Sequence, residues 1–326
     1  MSKSQLPSES KVMQNFTGEQ IGHLKLDELL SDGLFAQVYR ASDVMTDDAP
    51  CVVKLVKPGM IEPPARGLPE ERQAVEEITG AVVAASPDPR ALLEYQMSLT
   101  ESVGAGVFPQ FRSWLEDTDR QLFGCAMELI DGPTLRQLID QGRATLDHVI
   151  SAAEALQRLL EYASHHGDLK PTNVIFDGTQ ARLLDPGFYG NLKSSLGGSH
   201  DMKVTTPLYY PWLKPDDLLA LGLITWEVVF GKHPLKYDES FTGMNISSQL
   251  KLILRTKESC GQFYLAPIVN LPSPGRLRPM DRQCENLLLK LIHLTLTESE
   301  MLDVDAGFER IKQVIEALRT IRSSIG

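Results

Sequence analysis

The sequence lacks a long apolar run and contains few cysteines. No stretch of about eighteen apolar residues occurs, so we expect no transmembrane helix. Residues 1–20 are polar and rich in serine, and they lack the apolar core of a secretory signal. We therefore expect a disordered, solvated tail there. The cysteines (Cys51, Cys125, Cys260 and Cys284) are widely spaced with no Cys-x-x-Cys pair, which favours reduced, mostly buried thiols over a disulfide framework or a zinc site.

Basic residues are also scarce relative to acidic ones. The chain has 32 Lys and Arg against 43 Asp and Glu, a net charge of −11, which argues against nucleic-acid binding as its main function. A hydrophobic content of 42% is ordinary for a globular protein. The 326 residues suffice for one large or two small domains. We expect a cytoplasmic protein without a membrane partner, and delivery into another cell stays open.

The centre of the chain contains an Asp, a Lys and an Asn at close spacing. Residues 166–173, His-Gly-Asp-Leu-Lys-Pro-Thr-Asn, follow a helix predicted over 146–164. Asp168 can accept a proton from an attacking hydroxyl, Lys170 can lie on a transferring phosphate, and Asn173 can hold a metal ion. This combination indicates phosphoryl transfer.

A predicted β-hairpin comes directly after this stretch. Residues 174–176 and 181–184 form two short apolar segments, and Asp177-Gly178 between them is a strong turn signal. Because a hairpin returns the chain to its starting point, we expect Asn173 and Asp185 to lie close together. Two oxygen ligands suit Mg²⁺, which fills its other positions with phosphate and water.

These residues resemble the eukaryotic-type (Hanks-type) Ser/Thr protein kinases, as a divergent bacterial member. Residues 166–173 match the catalytic loop H-R-D-L-x-x-x-N with Gly167 in place of Arg, and Asp185-Pro186-Gly187 falls where the family has D-F-G. The resemblance implies ATP and Mg²⁺ as cofactors. It makes Asp168 the catalytic base, with Lys170 and Asn173 beside it, and it makes Asn173 and Asp185 the metal ligands.

The resemblance extends to a phosphate-binding lysine. Lys54 lies within the apolar strand predicted over residues 51–56, similar to the family's V-A-I-K, where it would bind the α- and β-phosphates. The alternative is an edge-strand lysine that faces water. Lys54 needs a carboxylate partner on a helix. We predict helices at about 70–85 and from residue 89, and we choose Glu94 as the partner over Glu76, Glu77 and Glu101; a Glu at the surface without a partner is the alternative.

Two further segments resemble nucleotide-binding parts of the family. Residues 24–41 predict a strand, a turn and a strand, as in G-x-G-x-x-G-x-V; a chance hairpin is the alternative. The residues that would face the nucleotide are Ser31 and Ala36, which replace glycines, and the retained Gly33 and Val38. Residues 127–132 come after a predicted strand and are similar to the hinge between the lobes; a strand that ends in an Asp-Gly turn is the alternative. In this match Met127 is the gatekeeper, and the backbone of Glu128 to Ile130 meets adenine.

The segments after Gly187 resemble the activation segment, the substrate-binding segment and the next helix of the family. Residues 188–204 are rich in Gly and Ser, which predicts a mobile polar segment; an ordinary surface loop is the alternative. The candidate phosphorylation sites are Ser194, Ser195, Ser199 and, just beyond, Thr205. Thr206-Pro207 resembles the substrate-binding segment, whereas Tyr210-Pro211-Trp212 departs from the family's A-P-E. Asp217, at the start of a predicted helix, would cap the backbone of the catalytic loop.

Together, these matches imply an α+β, bilobal, protein-kinase-like fold. A small antiparallel sheet with one or two helices would form an N-lobe over residues 21–128, and residues 129–326 would form a mostly helical C-lobe, after the tail at 1–20. The implied function is transfer of the γ-phosphoryl group from ATP to Ser or Thr of a protein substrate. The alternatives are a pseudokinase that serves as an ATP-binding scaffold, and a small-molecule kinase of the aminoglycoside or choline kinase type.

Overall fold

The first half of the chain forms a six-stranded antiparallel sheet. The structure, a computed structural model, describes residues 14–33, 36–56, 89–104, 106–162, 164–193, 199–204, 209, 217–231, 233 and 304–325. The strand order is β1-β2-β3-β4-β6-β5. The strands are β1 (Gln20–Ile21), β2 (Leu24–Asp32), β3 (Ala36–Asp43), β4 (Ala49–Val56), β5 (Phe111–Asp117) and β6 (Leu122–Glu128).

Burial alternates along strand β4, as the pleat of a strand requires. In β4, Cys51, Val53 and Leu55 are fully buried, while Val52 and Lys54 on the opposite face are half-buried. The bounds of β2, β3, β4 and β6 confirm the strands predicted near residues 24–30, 37–41, 51–56 and 121–127. Residues 34 and 35, between β2 and β3 in the sequence, lie outside the described residues.

Part of the predicted tail packs onto this sheet. Phe16 is buried among the residues of the sheet core, and its backbone N–H donates to the Tyr39 hydroxyl at 3.1 Å. The expectation of a solvated tail through residue 20 is therefore wrong for residues 14–20, because Phe16 and the backbone hydrogen bonds of Gly18 and Glu19 with Leu26 hold them against the sheet. The rest of the predicted tail lies outside the described residues.

Helices make up about half of the remaining described chain. They are α1 (Pro89–Val103), α2 (Leu135–Asp140), α3 (Leu146–Leu160), α4 (Asp217–Phe230) and α5 (Val304–Ile325). All side chains of α4 from Asp217 to Val229 are buried, and α2, α3 and α5 share one apolar core with this helix. Helix α4 ends at Phe230, and the next residue, Gly231, has a φ of 86°, a common conformation just after a helix.

Two hairpins complete the described fold. Strands β7 (Val174–Asp177) and β8 (Gln180–Leu183) confirm the predicted hairpin, with Gly178 at a φ of 61° in the turn. Strands β9 (Phe188–Lys193) and β10 (Ser199–Val204) pair where a mobile polar segment was expected. That expectation rested on the Gly and Ser content of the segment, but the described residues that flank 194–198 pair in register as strands.

The combination of an antiparallel sheet with helices confirms the mixed α+β class. Among the described residues, no helix is long and apolar enough to cross a membrane. Cys51 and Cys125 are free and buried, as expected. Several predicted features lie outside the described residues. These are the helix at 70–85, Cys260, Cys284, Ser194, Ser195, Thr205, Thr206-Pro207 and Tyr210-Pro211-Trp212.

Candidate active site

A cavity of about 290 Å³ lies between the sheet, helix α1 and the two polar segments at 166–173 and 185–187. Most of the residues predicted for catalysis and nucleotide binding line it. They are Ser31, Gly33, Ala36, Val38, Lys54, Asp168, Lys170, Asn173 and Asp185. Four predicted residues do not: Glu94, Met127, Glu128 and Ile130.

Asp217 fixes the backbone at the start of the predicted catalytic loop. Its carboxylate is fully buried, and its two oxygens accept hydrogen bonds from the backbone N–H groups of His166 at 2.7 Å and Gly167 at 2.9 Å. Gly167 has a φ of 74°, a conformation that favours glycine. The predicted role of Asp217 as a cap is confirmed, and it anchors the residue pair just before Asp168.

His166 is held between this loop and the end of the hairpin. Its Nδ1 lies 3.2 Å from the Asp168 backbone N–H, and its Nε2 lies 2.9 Å from the Leu184 carbonyl oxygen. The N–H can only donate and the carbonyl can only accept, so the ring is neutral with its proton on Nε2. Burial lowers the pKa of His166, although the nearby Asp217 opposes this effect.

The three residues of the predicted catalytic set contact one another. The Lys170 ammonium donates to Asp168 Oδ2 at 2.7 Å. The Asn173 amide Nδ2 donates to the Asp168 carbonyl at 2.9 Å and to Asp168 Oδ2 at 3.2 Å. These contacts hold the Asp168 carboxylate at the cavity surface, where its side chain is 14% exposed.

The hairpin brings Asp185 to the same place, as predicted. The Leu184 N–H donates to the Asn173 carbonyl at 2.9 Å, and the Gly187 N–H donates to the His166 carbonyl at 2.7 Å. Asp185 lies between these two tethers with a positive φ of 50°. Asn173 Nδ2 also lies 3.4 Å from the Asp185 carbonyl oxygen.

Lys54 binds Asp185 across the cavity. Its ammonium lies 2.7 Å from Asp185 Oδ1, and its side chain is 12% exposed. Burial opposes ionisation of Asp185, but the Lys54 charge and hydrogen bond outweigh it, so the pKa of Asp185 is lowered. Strand β4 pairs with β3 on one side and β6 on the other, which excludes an edge-strand lysine that faces water.

The predicted Lys54–Glu94 pair is wrong. Glu94 is 49% exposed and pairs with Arg90 at 3.0 Å, whereas the residue of α1 that contacts Lys54 is Gln96, at 2.9 Å. Positions two apart lie about 200° apart around a helix, so Glu94 and Gln96 face different ways. The signal that could have found Gln96 is its place on the apolar face with Leu92, Leu93 and Met97.

The predicted hinge residues lie beside the cavity lining. Met127 packs against the small apolar cluster around Val56 and Cys125. The Glu128 carboxylate accepts from Arg182 of β8 at 2.8 Å and from the Gln110 backbone N–H at 3.0 Å. Arg182, which sequence reasoning missed, also donates to the Phe108 carbonyl at 2.6 Å, and it ties the end of the sheet to the β7–β8 hairpin.

The polar groups of the cavity fit a hard divalent cation. Among the described residues, no three His, Cys, Asp or Glu side chains form a cluster that could hold a metal ion by themselves. Mg²⁺ needs fewer protein ligands, because substrate phosphates and water supply the rest. The Asp185 side chain is 51% exposed to the cavity, and Asn173 uses its Nδ2 for neighbouring acceptors, so its Oδ1 is the end that can bind a cation.

Known proteins with partial similarity to this chain are protein kinases. The chain is 33% identical to the MAP kinase kinase mkk-4 of Caenorhabditis elegans over an alignment of 82 positions, 21% of each chain. It is 27% identical to a putative serine/threonine-protein kinase of Mycoplasma genitalium (35% of this chain, 38% of the relative) and to the serine/threonine-protein kinase PknA of Mycobacterium tuberculosis (36% and 30%). The chain thus spans between about a fifth and two fifths of these relatives, and no family model matches it.

Proposed function

We propose that the protein is an ATP- and Mg²⁺-dependent protein kinase that phosphorylates Ser or Thr hydroxyls. The observation that carries the proposal is the meeting of Lys54, Asp168, Lys170, Asn173 and Asp185 in one cavity. These residues come from separate segments of the chain, and each suits one task in phosphoryl transfer. The partial similarity to Ser/Thr kinases adds support. The fold that goes with this function is bilobal, with an N-lobe that ends near residue 128 and a C-lobe after it.

Asp168 is the residue that handles the proton. It accepts or orients the proton of the acceptor hydroxyl, whose oxygen forms a bond to the γ-phosphorus of ATP while the bond from that phosphorus to the bridging oxygen of ADP breaks. Lys170, 2.7 Å from Asp168, neutralises charge on the transferring group. Asn173 holds the Asp168 carboxylate in orientation. Positioning and charge stabilisation supply most of the rate enhancement in this class of reaction.

The opposite side of the cavity suits the rest of the nucleotide. Lys54 would bind the α- and β-phosphates, and Ser31, Gly33, Ala36 and Val38 would cover them. The backbone of residues 128–130 would meet adenine, beside the Met127 gatekeeper. Asn173 and Asp185 would hold Mg²⁺, which when bound supplies positive charge against the phosphate oxygens.

A nucleotide-binding scaffold without catalysis is the second candidate. It is favoured by Gln96, which gives Lys54 a neutral partner on α1 instead of a carboxylate. A small-molecule kinase is the third possibility, because His166-Gly167-Asp168 also resembles the loop of the aminoglycoside and choline kinases.

Transfer of labelled phosphate from Mg-ATP tests the proposal. The protein is incubated alone and with a generic basic protein, beside Asp168→Ala and Asp185→Asn. We expect label on Ser or Thr that falls by about 10²- to 10⁴-fold in Asp168→Ala, as for loss of a general base. Asp177→Asn is the matched control, because Asp177 is exposed at the far end of the same hairpin.

Each other result favours one of the alternatives. ATP binding without any labelled protein would overturn the kinase proposal in favour of the scaffold. Release of ADP that depends on an added aminoglycoside or choline, without labelled protein, would favour the small-molecule kinase. Equal label in Asp168→Ala and the unchanged chain would remove Asp168 from the mechanism.

A further inference from the structure

Gln96 joins three parts of the cavity through one side chain. It is 6% exposed, on the buried face of α1. Its Oε1 accepts from the Lys54 ammonium at 2.9 Å, and its Nε2 donates to the Pro186 carbonyl oxygen at 2.6 Å. One amide group thus connects helix α1, strand β4 and the segment that carries Asp185.

These two contacts need an amide and exclude a carboxylate. A glutamine carries an acceptor and a donor on the same planar group, whereas an ionised glutamate carries acceptors only. A glutamate at this position could bind Lys54, but its second oxygen would face the Pro186 carbonyl oxygen. The contact with Pro186 therefore explains why α1 presents a Gln to Lys54.

The neutral partner also sets the charge of the cavity. Among the described residues, Asp185 is the one carboxylate that pairs with Lys54. Within the part of the chain that the structure describes, the charged side chains that line the cavity are Lys54, Lys170, Asp168 and Asp185, whose formal charges sum to zero. A glutamate in place of Gln96 would make this sum negative and would oppose the binding of a polyphosphate.

We propose that Gln96 is a positioning residue that holds Lys54 and the Asp185–Gly187 segment in one arrangement and keeps the cavity neutral for a nucleoside polyphosphate. This inference rests on the proposed nucleotide site. Gln96 keeps Lys54 within reach of phosphate, and through the Pro186 carbonyl it keeps the neighbouring Asp185 in place. The expected consequence is that nucleotide affinity depends on Gln96 more strongly than fold stability does.

Titration of ADP onto the full chain tests this inference, with and without Mg²⁺. Gln96→Met keeps the size of the side chain and loses both hydrogen bonds, so we expect ADP affinity to fall about tenfold, equivalent to about 1.4 kcal/mol. Gln96→Glu retains an acceptor for Lys54 but loses the donor and adds a negative charge. We expect it to bind ADP at least tenfold more weakly, with the larger loss in metal-free buffer.

Two controls separate positioning from general damage. Ser98→Glu adds a carboxylate to the exposed face of the same helix and should bind ADP like the unchanged chain. The thermal unfolding midpoint of each variant confirms that the titration is made on folded protein. In the phosphate-transfer assay, Gln96→Met should raise the KM for ATP and leave the KM for the acceptor protein unchanged.

The outcomes distinguish this inference from the proposed function. Unchanged ADP affinity in both Gln96 variants would overturn the inference and leave the kinase proposal standing. Full affinity in Gln96→Glu with a loss in Gln96→Met would show that Lys54 needs only an acceptor, which overturns the role of the Pro186 contact. Absence of ADP binding by the unchanged chain would overturn the proposed function, and this inference with it.

Discussion

Two hydrogen-bonded groups of side chains differ in how their charges are neutralised. The first, Arg136, Glu227 and Tyr209, is a closed group: the Glu227 carboxylate is fully buried and accepts hydrogen bonds from both Arg136 and Tyr209. The second, Lys54 with Asp185 and Gln96, opens into the cavity, where the Asp185 side chain is half-exposed. The closed group has its partners within the chain, whereas the open group can exchange partners with a ligand. We therefore expect changes in the closed group to alter stability and changes in the open group to alter binding.

The largest effect is expected from the closed group. Arg136→Met leaves the Glu227 carboxylate buried without its cation, which costs about 3–5 kcal/mol of stability. Denaturant unfolding measures the loss, and Arg90→Met, in an exposed pair with Glu94, is the control. The double variant Arg136→Met with Glu227→Leu should regain much of the loss. A cost below about 1 kcal/mol for Arg136→Met would contradict the expectation that the closed group determines stability.

The second prediction concerns Asp217, which is closed like Glu227 but lies next to the catalytic loop. Asp217→Asn replaces one of the oxygens that accept from the His166 and Gly167 N–H groups with an amide donor. We expect a loss of about 2 kcal/mol, as for a hydrogen bond to a charged group. Hydrogen exchange should show faster exchange of these two amides. Unchanged exchange rates would contradict the role of Asp217 as their anchor.

The third prediction concerns pH. The lowered pKa of His166 means that the unfolded chain binds this proton at higher pH than the folded one. Stability from His166 is therefore complete above about pH 6.5 and is lost as the pH falls through the folded-state pKa. His148, whose pKa is also lowered by burial, adds to the same slope. Unfolding midpoints between pH 7.5 and 5 should fall less steeply for His166→Gln than for the unchanged chain, and equal slopes would refute the assignment.

The smallest effect is expected at the predicted phosphorylation sites. In the family that the chain resembles, the Arg before the catalytic Asp binds a phosphate on the activation segment, and Gly167 cannot do so. The described strands β9 and β10 also hold each other through backbone pairing. Replacement of Ser194, Ser195, Ser199 and Thr205 by Ala should leave phosphate transfer within about twofold. Complete loss of transfer would show that a loop phosphate is required after all.

Local patterns in the sequence predicted the parts of the site that depend on local structure. The hairpin that unites Asn173 with Asp185 is indicated by a turn signal between two apolar segments, whereas the cap at Asp217 is implied by the family resemblance. Lys54 was identified as a polar interruption of an apolar strand. Each of these inferences needs only a few neighbouring residues.

Gln96 and Arg182 were missed because their contacts join distant segments of the chain. Gln96 and Pro186 are 90 positions apart, and Arg182 and Glu128 are 54 apart. The prediction of Glu94 rests on its place among apolar residues, but helix geometry turns it towards Arg90. The Gly and Ser content predicts a mobile segment at 188–204, but the described residues there form the paired strands β9 and β10. The contacts of Gln96 and Arg182 are set by tertiary structure, which no short window of sequence contains.

Because Asp217 follows the loop it caps by about 50 positions, the cap can form only late in synthesis. Residues 166 and 167 leave the ribosome about 50 positions before Asp217. The sheet can pair as soon as β6 has emerged, but the loop that carries Asp168 stays without its anchor until α4 has been made. A nascent chain that stops short of residue 217 would thus have a complete sheet and an unfixed loop at Asp168, so that the predicted site is completed late in synthesis.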